Sequence, residues 1–279
     1  MKGIFRIYRL FAIVLVFTIA ICGCGKEQEN LSTQTSDSLP TIVVGCDNYP
    51  PFSYTDTDGK PTGLDTELAT EAFRRMGYHA EFVTIDWENK KELLADGSID
   101  CIWCCFSMDG RTDQYRWAGP YMLSRQVVAV NPDSDIYTLQ QLENKIVAVQ
   151  ATTKPEELFL MPDDNEDITI PKVKSLFSMQ NRELIYPMLS KGYMDAIAAH
   201  ETSLLQYMND YHVEYRILDE PLLTVGLGVA FSLEDNRGLD QELSATLEEM
   251  RKDGTSEEII GKYLAHPSTY LEAEDYEVK

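Results

Sequence analysis

Short apolar runs alternate with amphipathic segments along most of the chain. The β-branched run TIVVGC at 41–46 predicts a buried strand, which the two prolines of DNYPPF end. After the turn DTDGKPTG, apolar side chains recur at helical spacing from Leu64 to Met76, and Gly77 stops the helix. The same order of strand and helix then recurs in HAEFVTI, NKKELLADG, IDCIWCCF, KIVAVQ, a helix from about Lys154, MDAIAAH and ETSLLQYM. This alternation predicts an α/β protein with mostly parallel sheets.

Two apolar runs stand apart from this alternation: SRQVVAVNPD at 124–133 and LTVGLGVAF at 223–231. Each lies between segments that make sense as separate lobes. We interpret them as the two hinge crossings of a bilobal protein. Lobe 1 is then predicted to comprise residues 41–125 plus 228–265, lobe 2 residues 130–222, and residues 266–279 form an acidic tail.

The amino end has the layout of a cleaved secretory signal peptide. Three basic residues precede the apolar run Leu10 to Ile21, which is too short to span a bilayer. The segment ICGCGKEQ resembles the lipobox of bacterial lipoproteins, which implies removal of residues 1–23 and lipidation of Cys24. Cys22 fits less well because bulky Ile21 precedes it, and an uncleaved anchor helix is the alternative. Residues 24–40 are polar and predict a flexible tether that holds the domain outside the cytoplasm, on the outer face of the cell membrane.

Net charge and cysteine content limit the functions that the protein can have. Cleavage before Cys24 lowers the Lys and Arg count from 24 to 21 against 46 Asp and Glu, which takes the net charge from −22 to −25. Such a surface repels nucleic acid and anionic headgroups, so no nucleic-acid function is expected. Four cysteines remain in the body, and they are either buried free thiols or include a bridge from Cys46 to the segment Cys101 to Cys105. The four histidines are too scattered to suggest a metal site.

Six segments, in order and spacing, resemble the family 3 extracellular solute-binding proteins, which are the amino-acid receptors of ABC importers. They are VVGCDNYPPFSYTDTDGKPTGLDTELATEAFRRMG, LLADGSIDCI, GRTDQYRWAGPY, LENKIVAVQATT, LSKGYMDAIAAHE and RKDGTSEEIIGKYL, and they cover roughly residues 41–265. The resemblance implies a bilobal, periplasmic-binding-protein-like fold of type II that clamps its ligand between the lobes. It also implies a membrane permease as partner, a monomeric receptor that is not an enzyme, and no cofactor.

A free amino acid carries a carboxylate and an ammonium, so its receptor needs a bidentate cation, an acid and apolar or aromatic walls. Arg111 offers two parallel donors to a carboxylate, unless it is a surface arginine paired with Asp109 or Asp113. Thr152 and Thr153 precede a proline and an acidic first turn, as helix caps do. Their backbone N–H groups could meet the same carboxylate, or they could cap the helix and nothing more.

The resemblance places further residues at the ligand. Ser107 corresponds to a hydroxyl residue of the family, although it lies one residue closer to the arginine than usual. Tyr49, Phe52 and Trp87 fall where the family has aromatic walls, with burial in the core as the alternative. At the position where the family usually has an acidic ammonium partner, this chain has His200. A neutral imidazole could accept from the ammonium, Glu201 or Asp47 could supply the missing charge, and His200 as a simple helix cap is a further alternative.

Two other functions fit the same fold. Some relatives resemble cyclohexadienyl dehydratases, and such an enzyme needs a carboxylate in the cleft for proton transfer, for which Glu201 is the candidate. The other is a ligand-binding sensory module.

Overall fold

The computed structural model describes residues 39–162, 169–272 and 276–278, and the residues from Leu39 onward form one compact unit. The predicted signal peptide, Cys24 and nearly all of the predicted tether lie outside the described residues. Within the described ranges, no helix combines the length and the apolar character that a membrane span requires.

Eleven strands and eight helices are described. The strands are β1 (Thr41–Cys46), β2 (Tyr54–Thr55), β3 (Pro61–Thr62), β4 (His79–Thr84), β5 (Cys101–Ser107), β6 (Arg116–Val130), β7 (Ile146–Gln150), β8 (Ser175–Met179), β9 (Ala196–His200), β10 (Arg216–Ile217) and β11 (Leu223–Phe231). The helices are α1 (Leu64–Arg75), α2 (Lys90–Ala95), α3 (Lys154–Leu160), α4 (Ile185–Ser190), α5 (Glu201–Tyr211), α6 (Leu239–Lys252), α7 (Thr255–Gly261) and α8 (Ser268–Leu271), with 3₁₀ turns at Trp87–Asn89, Leu139–Leu142 and Arg182–Leu184.

One nine-stranded sheet runs through the molecule in the order β4-β1-β5-β11-β6-β9-β7-β8, with β10 added to β6, and β2 and β3 form a separate hairpin. The strands β1, β4 and β5 are parallel, and so are β7, β8 and β9. The centre is antiparallel, because β11 runs against β5 and β6, and β6 runs against β9. The prediction of mostly parallel sheets therefore describes the two outer parts and not the middle.

The antiparallel centre consists of the two segments that we predicted as hinge crossings. Strand β6 pairs with β11 from Arg116 to Gln126 and with β9 from Gln126 to Val130. It begins earlier than the predicted hinge at 124, since the whole segment after Tyr115 is extended. The structure is thus a bilobal fold in which two long central strands belong to both halves.

The apolar core is divided in the same way. One cluster gathers α1, β1, β5, α6 and the first part of β6. Two further clusters lie on opposite faces of β6, β7 and β9: Val128 and Val130 face one of them, Val127 and Ala129 the other. Because successive strand residues point to opposite faces, burial of both faces explains why these strands read as continuous apolar runs.

Helix α1 begins where the chain passes very close to the loop of residues 49–53. Gly63 has φ 118°, and a Cβ at this position would lie 2.3 Å from the carbonyl oxygen of Phe52. Only glycine fits such a close approach. The backbone N–H groups of Leu64 and Asp65 donate to the carbonyls of Pro51 and Phe52 at 2.9 and 2.8 Å, which fixes this loop against the start of the helix.

The four body cysteines are buried free thiols, as the first of our two interpretations has it. Burial raises the pKa of each thiol, which disfavours the reactive thiolate. At the other end of the chain, the predicted acidic tail contains the short helix α8. The hydroxyl of Tyr276 donates to Asp109 at 2.5 Å and lies 3.1 Å from the carbonyl oxygen of Thr224.

Candidate ligand-binding cleft

A cleft lies at the carboxyl ends of β5, β7 and β9. In open α/β sheets the crevice at the carboxyl ends of the strands is where ligands bind, because loops and helix starts converge there. Seven of the ten predicted ligand-binding residues line this cleft: Tyr49, Trp87, Ser107, Arg111, Thr152, Thr153 and His200. The structure places Phe52, Asp47 and Glu201 outside its lining.

Arg111 follows a tight turn after β5, in which its backbone N–H donates to the carbonyl of Met108 at 2.9 Å. Its side chain is 11% exposed, and its Nη2 donates to Oε2 of Glu157 at 3.1 Å. The guanidinium carbon lies 5.6 Å from the ring centroid of Phe106. Burial lowers the pKa of Arg111, although an arginine remains charged at any physiological pH. The carboxylate that it contacts therefore belongs to α3, and not to the neighbouring acids at 109 and 113.

The segment before α3 is arranged differently from the prediction of open cap amides. Thr152 has φ 57°, and its backbone N–H donates to a carboxylate oxygen of Glu156 at 2.6 Å. Its hydroxyl accepts from Nζ of Lys90 at 2.8 Å. Thr153 occupies the N-cap position, but its hydroxyl donates backward to the carbonyl of Gln150 at 2.6 Å. The amide of Thr152 is thus satisfied within the protein.

The three predicted aromatic residues have different positions. Tyr49 and Trp87 line the cleft. Phe52 is fully buried behind Tyr49, with 5.4 Å between the ring centroids, so it supports the wall from the core. Nζ of Lys90 lies 4.6 Å above the ring of Trp87, in cation–π contact.

His200 ends β9 and is buried against the loop that carries Tyr49, whose hydroxyl accepts the His200 backbone N–H at 3.3 Å. The imidazole Nδ1 lies 2.8 Å from the Ser124 hydroxyl, and Nε2 lies 2.7 Å from the amide nitrogen of Gln126. Burial and, next, the charge of Arg182 lower the pKa of His200 to about 3, which keeps the ring neutral. His200 occupies the N-cap position of α5 but makes no side-chain capping hydrogen bond, and both of its ring nitrogens already have partners.

The two acidic candidates are engaged elsewhere. Glu201 forms an ion pair with Arg125 at 2.8 Å. Asp47 accepts from the side-chain amide of Gln150 at 2.8 Å and lies 3.5 Å from Nη2 of Arg182. Both carboxylates are therefore paired with other residues rather than directed into the cleft.

Several charged residues of the site were not foreseen. Arg182 is 8% exposed and lines the cleft, and its guanidinium carbon lies 3.0 Å from the ring centroid of Tyr49. Lys154 lines the cleft and pairs with Glu157 at 2.6 Å. Burial and, next, the charge of Arg111 lower the pKa of Lys90 to about 8. A single basic residue at the start of a helix or turn carries no sequence signal for a cleft position, and only the asparagine N-cap before Arg182 marks the start of a helical turn.

The arrangement can hold a small polar molecule among cationic, aromatic and neutral polar groups. Among the described residues, no group of acids, histidines and cysteines is arranged to hold a metal ion.

Comparisons with known proteins agree with this geometry. Residues 42–266 match the family of bacterial extracellular solute-binding proteins, family 3. The glutamate-binding protein GluB of Corynebacterium glutamicum is 26% identical, over 96% of this chain and 93% of its own length. The histidine-binding periplasmic protein of Escherichia coli K12 is 31% identical, over 80% of this chain and 86% of its own.

Among solved structures, the ancestral amino acid-binding protein AncCDT-1, a precursor of cyclohexadienyl dehydratase, is 25% identical with a TM-score of 0.70, covering 81% of this chain and 96% of that one. The fold and the cleft thus define a solute-binding protein with two lobes. The chain belongs to the bacterial extracellular solute-binding proteins, family 3.

Proposed function

We propose that the protein is the extracytoplasmic receptor of an ABC importer, and that it closes its two lobes on an amino acid and delivers this ligand to a membrane permease. The observation that carries the proposal is the buried side chain of Arg111 at the cleft, with a carboxylate 3.1 Å from its Nη2. Its pairing with Glu157, which does not itself line the cleft, supports the view that this guanidinium can hold a carboxylate. A guanidinium in this position provides two parallel donors, a geometry that suits the group common to all amino acids.

Contacts between the two halves support a closing motion. The amide of Gln150, at the end of β7, donates to Asp47, which follows β1. Nζ of Lys90, at the start of α2, donates to Thr152 before α3. Each pair joins a residue of predicted lobe 1 to one of predicted lobe 2, and such contacts exist only when the lobes are together. A ligand that touches both lobes stabilises the same closed state.

The proposal also covers the amino end of the chain, the lobe boundaries and the oligomeric state. We place a signal peptide at residues 1–23, a lipid on Cys24 and a tether up to residue 40, so that the domain stays at the outer face of the membrane. The lobe boundaries remain 41–125 plus 228–265 and 130–222. In this arrangement a monomer suffices, because one chain supplies both walls of the cleft.

An enzymatic function of the dehydratase type finds less support in the cleft. Its candidate acid, Glu201, is paired with Arg125 and does not line the cleft. A sensory module would use the same cleft with a signalling partner instead of a permease.

A ligand screen tests the proposal directly. Thermal unfolding of the full-length protein in detergent, followed by tryptophan fluorescence, is measured with each of the common amino acids. A ligand present at a thousand times its Kd stabilises the folded state by about 4 kcal/mol. We expect at least one amino acid to raise the unfolding midpoint reproducibly. In a separate incubation with the protein, prephenate or arogenate should be recovered unchanged. A screen in which no amino acid raises the midpoint would refute the proposal.

A further inference from the structure

The charged residues that line the cleft are all of one sign. Among the described lining residues they are Arg111, Lys154 and Arg182, and no aspartate or glutamate is present. The chain as a whole carries a net charge of −22. A cationic cleft in so acidic a protein points to an anionic ligand, because like charges from the rest of the surface repel such a ligand everywhere else.

The acids behind the cleft only partly neutralise these cations. Glu157 is shared, since one oxygen accepts from Arg111 at 3.1 Å and the other from Lys154 at 2.6 Å. Asp47 lies 3.5 Å from Arg182, and the same oxygen already accepts from Gln150 at 2.8 Å. Three cations therefore share two carboxylates, and one of these, Asp47, also accepts from Gln150.

Arg182 provides the more specific indication. Its Nη2 donates to the side-chain oxygen of Gln150, but its Nη1 is buried and has no hydrogen-bond partner in the described part of the chain. A buried donor of a charged group without an acceptor is costly, and it is satisfied when an anionic oxygen binds beside it. The indole N–H of Trp87, also at the cleft, is a second unpartnered donor.

The neutral side chains of the cleft can accept a hydrogen bond from a ligand ammonium without adding a negative charge. His200 stays uncharged, and both of its ring nitrogens have partners. The side-chain oxygen of Gln126, which lies beside it, is a buried acceptor with no partner within the described ranges. One ammonium can donate to this oxygen, but no carboxylate among the described lining residues compensates its charge.

We propose that the cleft selects a small solute with two carboxylates, of the class of the acidic amino acids. One carboxylate binds Arg111 and the other binds Arg182, with the amino group at the oxygen of Gln126. This inference rests on the proposed function and narrows its ligand to a single charge class.

Titration calorimetry of the full-length protein in detergent tests it with matched pairs of ligands: L-glutamate against L-glutamine, L-aspartate against L-asparagine, and L-arginine as the opposite charge. Each amide has nearly the shape of its acid and lacks one negative charge. We expect one of the acids to bind about 10 to 100 times more tightly than its amide, because a hydrogen bond to a charged group is replaced by a weaker one. Arg182→Gln should remove most of this preference, whereas Arg74→Gln, on an exposed helix face, should retain it.

The outcomes separate the inference from the proposed function. The inference is overturned, and the receptor function left intact, if a neutral amino acid binds as tightly as either acid. Equally tight binding of the cationic L-arginine has the same consequence. An unchanged acid preference in Arg182→Gln also overturns it, because the second carboxylate then has another partner. A protein that binds no amino acid of any charge overturns both.

Discussion

Asp65 offers a quantitative test of how the cleft is supported. This residue lies in the first turn of α1 and is 1% exposed. Its Oδ2 accepts the backbone N–H of Cys105 at 2.7 Å, and the buried hydroxyl of Tyr121 lies beside the carboxyl. Cys105 has φ 49°, a left-handed conformation that is unusual for a side chain with a Cβ. The carboxyl of Asp65 therefore helps to hold the strand end that leads to Ser107 and the cleft.

Burial raises the pKa of Asp65 from 3.8 to about 7, against the opposing effect of the Cys105 N–H. The pKa of the folded protein lies above that of the unfolded chain, so the neutral carboxyl contributes stability below about pH 4 that is lost as the pH rises through 7. The difference between a pKa of 3.8 and one of about 7 corresponds to a loss of about 4 kcal/mol of folding stability. Asp65→Asn keeps the shape and the acceptor but cannot ionise, so this variant escapes the loss.

We expect Asp65→Asn to be about as stable as the wild type at pH 4 and more stable by up to about 4 kcal/mol at pH 8.5. Urea unfolding of both proteins at several pH values, followed by tryptophan fluorescence, measures the difference. Asp65→Ala removes the acceptor of the Cys105 N–H and should be less stable by about 1 to 3 kcal/mol at pH 4. The reasoning fails if the difference between wild type and Asp65→Asn does not change with pH, or if Asp65→Asn is the less stable protein at pH 8.5.

Three shorter predictions concern the ligand and the anchor. Arg111→Ala removes the charge and the paired donors, so calorimetry should show binding of the identified ligand weakened by about 2 to 5 kcal/mol. Arg111→Lys keeps the charge but loses the paired donors and should weaken binding less, and equal affinity of Arg111→Ala and wild type would exclude Arg111 as the carboxylate partner. Because burial lowers the pKa of His200 to about 3, the imidazole is neutral in both free and bound protein. Ligand affinity should therefore not decline from pH 8 to pH 5 because of His200. A decline below pH 6 that disappears in His200→Gln would contradict this. Cys24→Ala should release the protein from the membrane fraction, and release by Cys22→Ala alone would move the lipid to that residue.

The local elements of the fold were predictable because their signals are local. The β-branched run at 41–46 is β1, and the periodic apolar residues from Leu64 form α1 up to Arg75. The two apolar runs outside the alternation are the central strands that both halves share. Each of these elements depends on burial patterns within about ten residues, which a sequence displays directly.

The electrostatic partners within the site could not be predicted in the same way. Arg111 was expected to face a nearby acid or a ligand, but Glu157, forty-six positions away, contacts it. Arg182 reaches Asp47 and the ring of Tyr49 only because the two halves come together. The raised pKa of Asp65 results from burial, which its place near the start of a helix does not indicate. Long-range contacts of this kind leave no periodic trace in the chain.

The shared strand β6 limits how this protein could be divided. Its first eleven residues complete the sheet beside β11, and its last five complete the sheet beside β9. A gene fragment encoding only one half would leave a long apolar strand edge without its partner, and such edges template aggregation. Recombination that transplants one half into a relative should therefore preserve 116–130 and 223–231 as an intact pair, and exchange only the segments on either side of it.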